Sequence, residues 1–155
     1  MPRFSLTAAA LVLGLMGCSG EAGLTDPDIT GITFAPSLSV DLSQMTKTTQ
    51  GIYQRDLVAG SGDVVQGSSR IQAHYTGWLP NGTKFDENLA PSVPLNVQLG
   101  QGRLIAGWEI GIPGMKVGGT RQLVIPPSMG YGAAGRGPIP PNSYLVFVVE
   151  MVAIQ

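Results

Sequence analysis

The 155-residue chain has a single histidine, His74, and an aspartate, Asp86, follows it across a turn in "AHYTGWLPNGTKFDEN". An imidazole that titrates near neutrality, held by a carboxylate, is a common acid–base pair. Strand alternation argues against that chemistry here. Successive side chains of a strand point to opposite faces. In "RIQAHYTG", Ile71, Ala73 and Tyr75 therefore share one face, and Gln72, His74 and Thr76 share the other. Ile71 and Ala73 mark the core side, so Tyr75 is predicted to point inward and His74 to be exposed on the outer face. No nucleophile motif and no cluster at metal-ligand spacing accompanies His74. The glycines around Tyr131 (Gly130, Gly132, Gly135, Gly137) lack the Lys-Ser/Thr ending and helix of a phosphate-cradling loop. No metal and no cofactor is expected.

The elements that must position these residues follow from patterning. "GIYQRDLV", "RIQAHYTGW", "PLNVQLG", "GTRQLVIPP" and "SYLVFVVEMVAIQ" read as strands, and Leu95, Val97 and Leu99 alternate onto one face. Pro80-Asn81-Gly82 reads as a hairpin turn, since Asn-Gly accepts the positive φ angles such turns need. "RLIAGWEIGIPGM" is too irregular for a strand, and its Ile105, Trp108 and Ile112 sit at helical spacing, closed by Gly111 and Pro113. The outline is an α+β domain: an antiparallel sheet with one short helix packed on it.

Composition narrows the function classes. With 43% hydrophobic and 12% charged residues the chain can build a packed core. Its formal charge of −1 leaves no basic excess to neutralise a phosphate backbone, so nucleic acid is not an expected partner. Half of the chain's aromatic side chains, namely Tyr75, Phe85, Trp108, Tyr131 and Phe147, fall in the motif-bearing part of the chain. Taken one at a time each is best read as core.

Taken together, those motifs resemble the FKBP-type peptidyl-prolyl isomerases. The resemblance runs from about Gly51 to Gln155 and rests on "HYTGWLPNGTKFDEN", "PLNVQLGQGRLIAGWEIGIPGMKVGGTRQLVIPPSMGYG" and "PIPPNSYLVFVVEM", in order and at family spacing. It implies a strongly bent antiparallel sheet, a half-barrel, wrapped around the helix. It also implies a proline pocket in which Tyr75, Phe85 and Asp86 form one wall and Trp108 the floor. Leu104 and Ile105 lie at the helix start, with the Ile105 N–H bonding a ligand carbonyl and the Tyr131 hydroxyl another. Leu95, Ile139 and Phe147 complete the apolar wall. The implied partners are proline-containing peptides and unfolded protein clients, and the macrolides tacrolimus and rapamycin; a monomer is the expected state. A non-catalytic peptide-binding module or chaperone using the same cleft is the rival reading. Three departures stand out. Leu95 replaces a frequent phenylalanine, Pro91 stands where many members have an arginine beside the aspartate, and the loop "GYGAAGRGPIPPN" is one residue shorter than in the best-known member. Asp86 itself reads either as a pocket carboxylate or as an ordinary residue closing the turn.

The N-terminus is of another kind. "MPRF" supplies one positive charge before the apolar run "SLTAAALVLGLM", which is too short to span a bilayer. This is the layout of a signal peptide over residues 1–17. Leu15-Met16-Gly17-Cys18 resembles a bacterial lipobox, and Cys18, the chain's one cysteine, has no partner for an internal disulfide. The expectation is a lipidated Cys18 anchoring the protein to a membrane outside the cytoplasm. Residues 18–48, mixed in Ser, Thr, Gly, Pro and Asp, are read as a tether with some local order from Ile32 to Leu42. Residues 49–155 are read as the isomerase domain.

Overall fold

The computed structural model describes residues 26–155. The seven strands are β1 (Thr46–Lys47), β2 (Tyr53–Val58), β3 (Arg70–Trp78), β4 (Lys84–Asn88), β5 (Leu95–Gln98), β6 (Thr120–Ile125) and β7 (Leu145–Ile154), with one helix, α1 (Ala106–Gly111), between β5 and β6. They form a single antiparallel sheet in the order β1-β2-β6-β7-β3-β4. β3 is long enough to hold two neighbours on one edge. Its first half, Arg70 to Ala73, pairs with β5, and its second half, Tyr75 to Trp78, pairs with β4. The sheet bends strongly without closing into a barrel, and α1 lies in its concave side, the expected α+β arrangement.

Inward alternation builds the main core. Ile71 and Ala73 of β3, Leu123 and Ile125 of β6, and Leu145, Phe147, Val149 and Met151 of β7 pack with Trp108 and Ile112 of the helix region. The helix has no side-chain N-cap, and Glu109 instead accepts a hydrogen bond from the Gly100 N–H at 2.6 Å. Its C-terminal carbonyls, which have no partner within the helix, are met by the buried Arg121. That guanidinium donates to Gly111 O at 2.9 Å and Pro113 O at 3.2 Å while pairing with Asp56.

The β3–β4 turn forms where expected, by a different device. The Gly82 N–H donates to Leu79 O at 2.9 Å and the Leu79 N–H to Thr83 O at 2.8 Å. Gly82 alone takes a positive φ, 88°, while Asn81 accepts from the Thr83 N–H through Oδ1. A turn followed by a left-handed glycine needs only one such residue.

Two expectations are corrected. The first is the tether. From residue 26 onward the segment is packed against the outer face of the sheet through three 3-10 turns, Ile29–Gly31, Pro36–Leu38 and Leu42–Gln44, and then pairs as β1 with β2. Ile29 and Leu38 are buried with Val124, Tyr144 and Val146. Tyr53, Val124, Val146 and Trp78 form one row across β2, β6, β7 and β3, and all four belong to this outer cluster. A row of large apolar residues on the convex face needs a cover, and the strap supplies it. Gln122 Nε2 donates to Leu38 O at 2.7 Å and Arg55 Nη2 to Ser39 O at 3.1 Å.

The second correction is His74. It does lie on the outer face, beside Glu150 of β7, yet it is only 7% exposed. Asn88, at the end of β4, lies against its ring. Nδ1 lies 2.9 Å from Asn88 Oδ1 and 3.2 Å from Asn88 O, and Asn88 Nδ2 donates to Val93 O at 3.0 Å. With the Asn88 amide nitrogen committed to Val93, both oxygens near Nδ1 are acceptors, which places the imidazole hydrogen on Nδ1.

Candidate functional site

The site is built where β3, β4, β7 and the start of α1 converge. Gly77 of β3 lies directly between Asp86 of β4 and Phe147 of β7. Lacking a side chain, it lets both phenylalanines close over it: a Cβ there would come within 2.7 Å of Phe147 Cε1 and of Phe85 Cζ. The rings meet edge to face. Phe85 and Phe147 have centroids 5.5 Å apart at 84°, Trp108 and Phe147 5.4 Å apart at 84°, and Tyr75 and Trp108 5.1 Å apart at 88°. Such contacts contribute about 0.5–1.5 kcal/mol each beyond the area they bury and fix ring orientation. Trp108 and Phe147 are 3% and 4% exposed, so they form a firm floor and back wall.

Above them opens a cleft of about 710 Å³. Tyr75, Phe85, Asp86, Leu95, Leu104, Ile105, Trp108, Tyr131 and Phe147 line it, all residues expected there. Ile139 does not line it. It is buried in the apolar cluster beneath, in a bridge with Arg136. Gly102, Arg103, Ala106, Gly130 and Arg136 line the cleft as well without having been singled out as its residues. Arg103 and Ala106 flank Leu104-Ile105 and could have been taken with them. Arg136 had no such signal: its guanidinium is brought over the Tyr131 ring, 5.5 Å from the centroid, by a loop that the pattern leaves unplaced.

Polar groups are few and defined. The Tyr75 hydroxyl donates to Asp86 Oδ2 at 2.9 Å, and Asp86 Oδ1 accepts from the Glu87 N–H at 2.9 Å. Burial, and then the hydrogen bond and charge of Asp86, push the Tyr75 phenol up to about 12, so it stays a donor at any physiological pH. The ion pairs among the described residues are Lys84–Glu87 and Arg121–Asp56. Asp86 has none, in keeping with Pro91 in place of a basic neighbour. Ile105 has extended backbone, with φ −62° and ψ 146°, just before the helix. Its N–H and the Tyr131 hydroxyl have no acceptor among the described residues, so both can donate to a guest. No three His, Cys, Asp or Glu side chains among the described residues could hold a metal ion.

An aromatic-floored cleft with polar and charged groups around it suits an extended peptide carrying one compact ring. Comparison with known proteins agrees. A family model described as FKBP-type peptidyl-prolyl cis-trans isomerase matches residues 61–152. The chain is 49% identical over 105 residues to an FK506-binding protein of Neisseria meningitidis serogroup B, covering 67% of this chain and 96% of that one. It is 37% identical over 146 residues to FK506-binding protein 2 of Dictyostelium discoideum, covering 94% and 93%. Among solved structures, AtFKBP13 superposes with a TM-score of 0.67 at 36% identity, over 72% of this chain and 98% of that one. FkpA from Escherichia coli superposes with the same score at 32% identity, over 77% and 55%.

Proposed function

The chain belongs to the FKBP-type peptidyl-prolyl cis-trans isomerase family, and from that premise we propose that it turns Xaa-Pro bonds in the cleft over Trp108, on proteins outside the cytoplasm. The observation that carries this reading is the cage of edge-to-face rings formed by Tyr75, Phe85, Trp108 and Phe147, closed below and open to a peptide above.

Rotation about an amide faces a barrier of about 18–20 kcal/mol because resonance holds it planar. The planar amide is strongly dipolar and is stabilised by water; the twisted one has lost most of that resonance. A proline ring seated on Trp108 carries its imide bond out of water and into an aromatic surround, which raises the planar form relative to the twisted one. The Ile105 N–H and Tyr131 hydroxyl hold flanking carbonyls, so the chain on either side of the bond is fixed while the bond itself turns. Binding the twisted shape better than either planar isomer lowers the barrier further. Asp86 keeps the Tyr75 ring in the wall by accepting a hydrogen bond from its hydroxyl. No covalent bond is made or broken, so the His–Asp chemistry that the sequence first suggests is not required.

Location is the other half of the proposal. Residues 1–17 act as a signal peptide and Cys18 is the lipid-bearing residue; both lie outside the described residues. Their layout and the lipobox-like Leu15–Cys18 support the reading. Among the described residues no helix is long and apolar enough to cross a membrane. A folding helper held at a membrane meets exported chains whose uncatalysed prolyl steps take tens to hundreds of seconds.

Two experiments test the two halves. In a protease-coupled assay on a short Xaa-Pro peptide, the protein should accelerate isomerisation and rapamycin should suppress it. A rate equal to the uncatalysed one would leave a binding module in its place. In a bacterial host, Cys18→Ser should move the protein from the membrane to the soluble fraction and abolish incorporation of labelled palmitate. Unchanged membrane retention would remove the anchor.

A further inference from the structure

The strap lies outside the matched family segment, residues 61–152, yet its first described residue grips the turn that leads into the cleft. Asp26 accepts two hydrogen bonds from Ser128, from the backbone N–H to Oδ1 at 2.8 Å and from the hydroxyl to Oδ2 at 2.6 Å. Ser128 is the middle residue of the 3-10 turn Pro127–Met129, whose local N-cap is Pro126 and supplies no capping side chain. Pro127 has no N–H to offer, so the Ser128 N–H is the turn's first donor without an internal acceptor. The carboxylate comes from a hundred residues away in the chain to satisfy it. A second tie lies one residue along, where the Tyr144 hydroxyl donates to Pro27 O at 2.7 Å.

The turn leads straight into the site. The Gly130 and Gly132 N–H groups both donate to Pro127 O, at 3.0 and 2.9 Å, so the backbone from Pro127 to Gly132 is one tightly bonded unit. Gly130 and Tyr131, inside that unit, line the cleft. Holding Ser128 therefore holds the backbone that carries the Tyr131 hydroxyl.

We propose that Asp26 is a positioning residue for the isomerase reaction: by clamping Ser128 it fixes the Gly130–Tyr131 rim in its peptide-holding position. The inference rests on the reading of the cleft as the isomerase site. It makes the strap part of the working site as well as a cover for the outer face.

Asp28 supplies the control. It accepts from the Thr30 N–H at 3.0 Å and the Thr30 hydroxyl at 2.8 Å, a cap of similar form in the same strap that touches nothing of the rim. In the full chain, Asp26→Ala is expected to lower kcat/KM for an Xaa-Pro peptide about fivefold, chiefly through KM, and Asp28→Ala by less than about 1.5-fold. Asp26→Asn, whose amide oxygen still accepts one bond, should recover part of the loss. Amide exchange at Gly130–Gly135 should quicken in Asp26→Ala and stay at the wild-type rate in Asp28→Ala. Equal losses in the two alanine variants would overturn the proposal, since the strap would then act only through stability. So would an Asp26→Ala protein with unchanged KM and unchanged exchange. If the wild type fails to accelerate isomerisation, the isomerase reading fails by itself, and the exchange comparison alone decides the clamp.

Discussion

Asp86 and Tyr75 share one hydrogen bond, and that bond decides how each acts. If the carboxylate works by holding the phenol in the wall, removing either partner has the same effect, and removing both adds little. Asp86→Ala is expected to lower kcat/KM about fivefold in the wild type but less than about twofold in a Tyr75→Phe background. Additive losses would show that Asp86 acts directly on the substrate. The same bond makes a pH prediction. The Tyr75 phenol is raised from 10.0 to about 12, first by burial and then by Asp86. Between those values the folded state holds a proton that the unfolded chain has lost. The stability linked to this group is therefore fully present below pH 10 and lost as pH rises toward 12. Wild type should lose more stability than Tyr75→Phe over that window, as read by thermal melts at stepped pH; parallel curves would contradict the assignment. His74 makes the opposite kind of residue, stabilising without reacting. His74→Ala removes the group that meets both Asn88 oxygens, and is expected to cost about 1–3 kcal/mol in urea denaturation while leaving kcat/KM of the folded protein within about twofold.

At the scale of elements, β3 pairs with β4, β5 and β7, the strands that supply Phe85, Asp86, Leu95 and Phe147, and its faces are readable because alternation is a local signal. Ile71, Ala73 and Tyr75 share the inner face as their spacing predicts, and the helix Ala106–Gly111 forms between Ile105 and Ile112, whose spacing with Trp108 predicts it. What alternation does not contain is what comes to lie over a face. His74 lies on the side its spacing predicts but is buried, and Asn88 at the end of β4 lies against its ring. The place of Asn88 depends in turn on its bond to Val93 O in the 89–94 connection, a contact that has no period. The pocket's inner dimension is likewise set by a residue that is absent in side chain. Gly77→Ala would push a methyl group into both phenylalanine rings. Overpacking of this kind costs about 1–3 kcal/mol. Because the displaced rings are two walls of the cleft, kcat/KM should fall roughly tenfold as well. A variant that loses stability with full activity would show that the rings relax without disturbing the cleft.

At the scale of the whole molecule, the chain is one sheet covered on two faces by two different means. The concave face is filled by α1 and carries the aromatic residues of the cleft; the convex face is covered by residues 26–48. The first cover was visible in the sequence because a helix has a period, while the second was hidden because three short 3-10 turns have none. Two signals of it were nevertheless present: Asp28 and Asp41 each sit two residues before a Thr or Ser whose backbone N–H they cap, the local pattern of a turn start. The domain therefore extends past the boundary at 49 to at least residue 26. Two chains test this, one beginning at residue 24 and one at residue 49. The latter would uncover Val124, Tyr144 and Val146 and lose the burial of Ile29 and Leu38. At about 1.5–3 kcal/mol per fully buried aliphatic side chain, offset in part by the freed chain entropy, the expected loss is about 2–4 kcal/mol. For a domain of this size that lowers Tm by roughly 10–20 °C. It should also expose an apolar surface that binds a hydrophobic dye in the folded state. If the shorter chain melts within about 2 °C of the longer one, the strap is a passenger on the sheet, and its grip on Ser128 would have to be weighed without any contribution from the outer face.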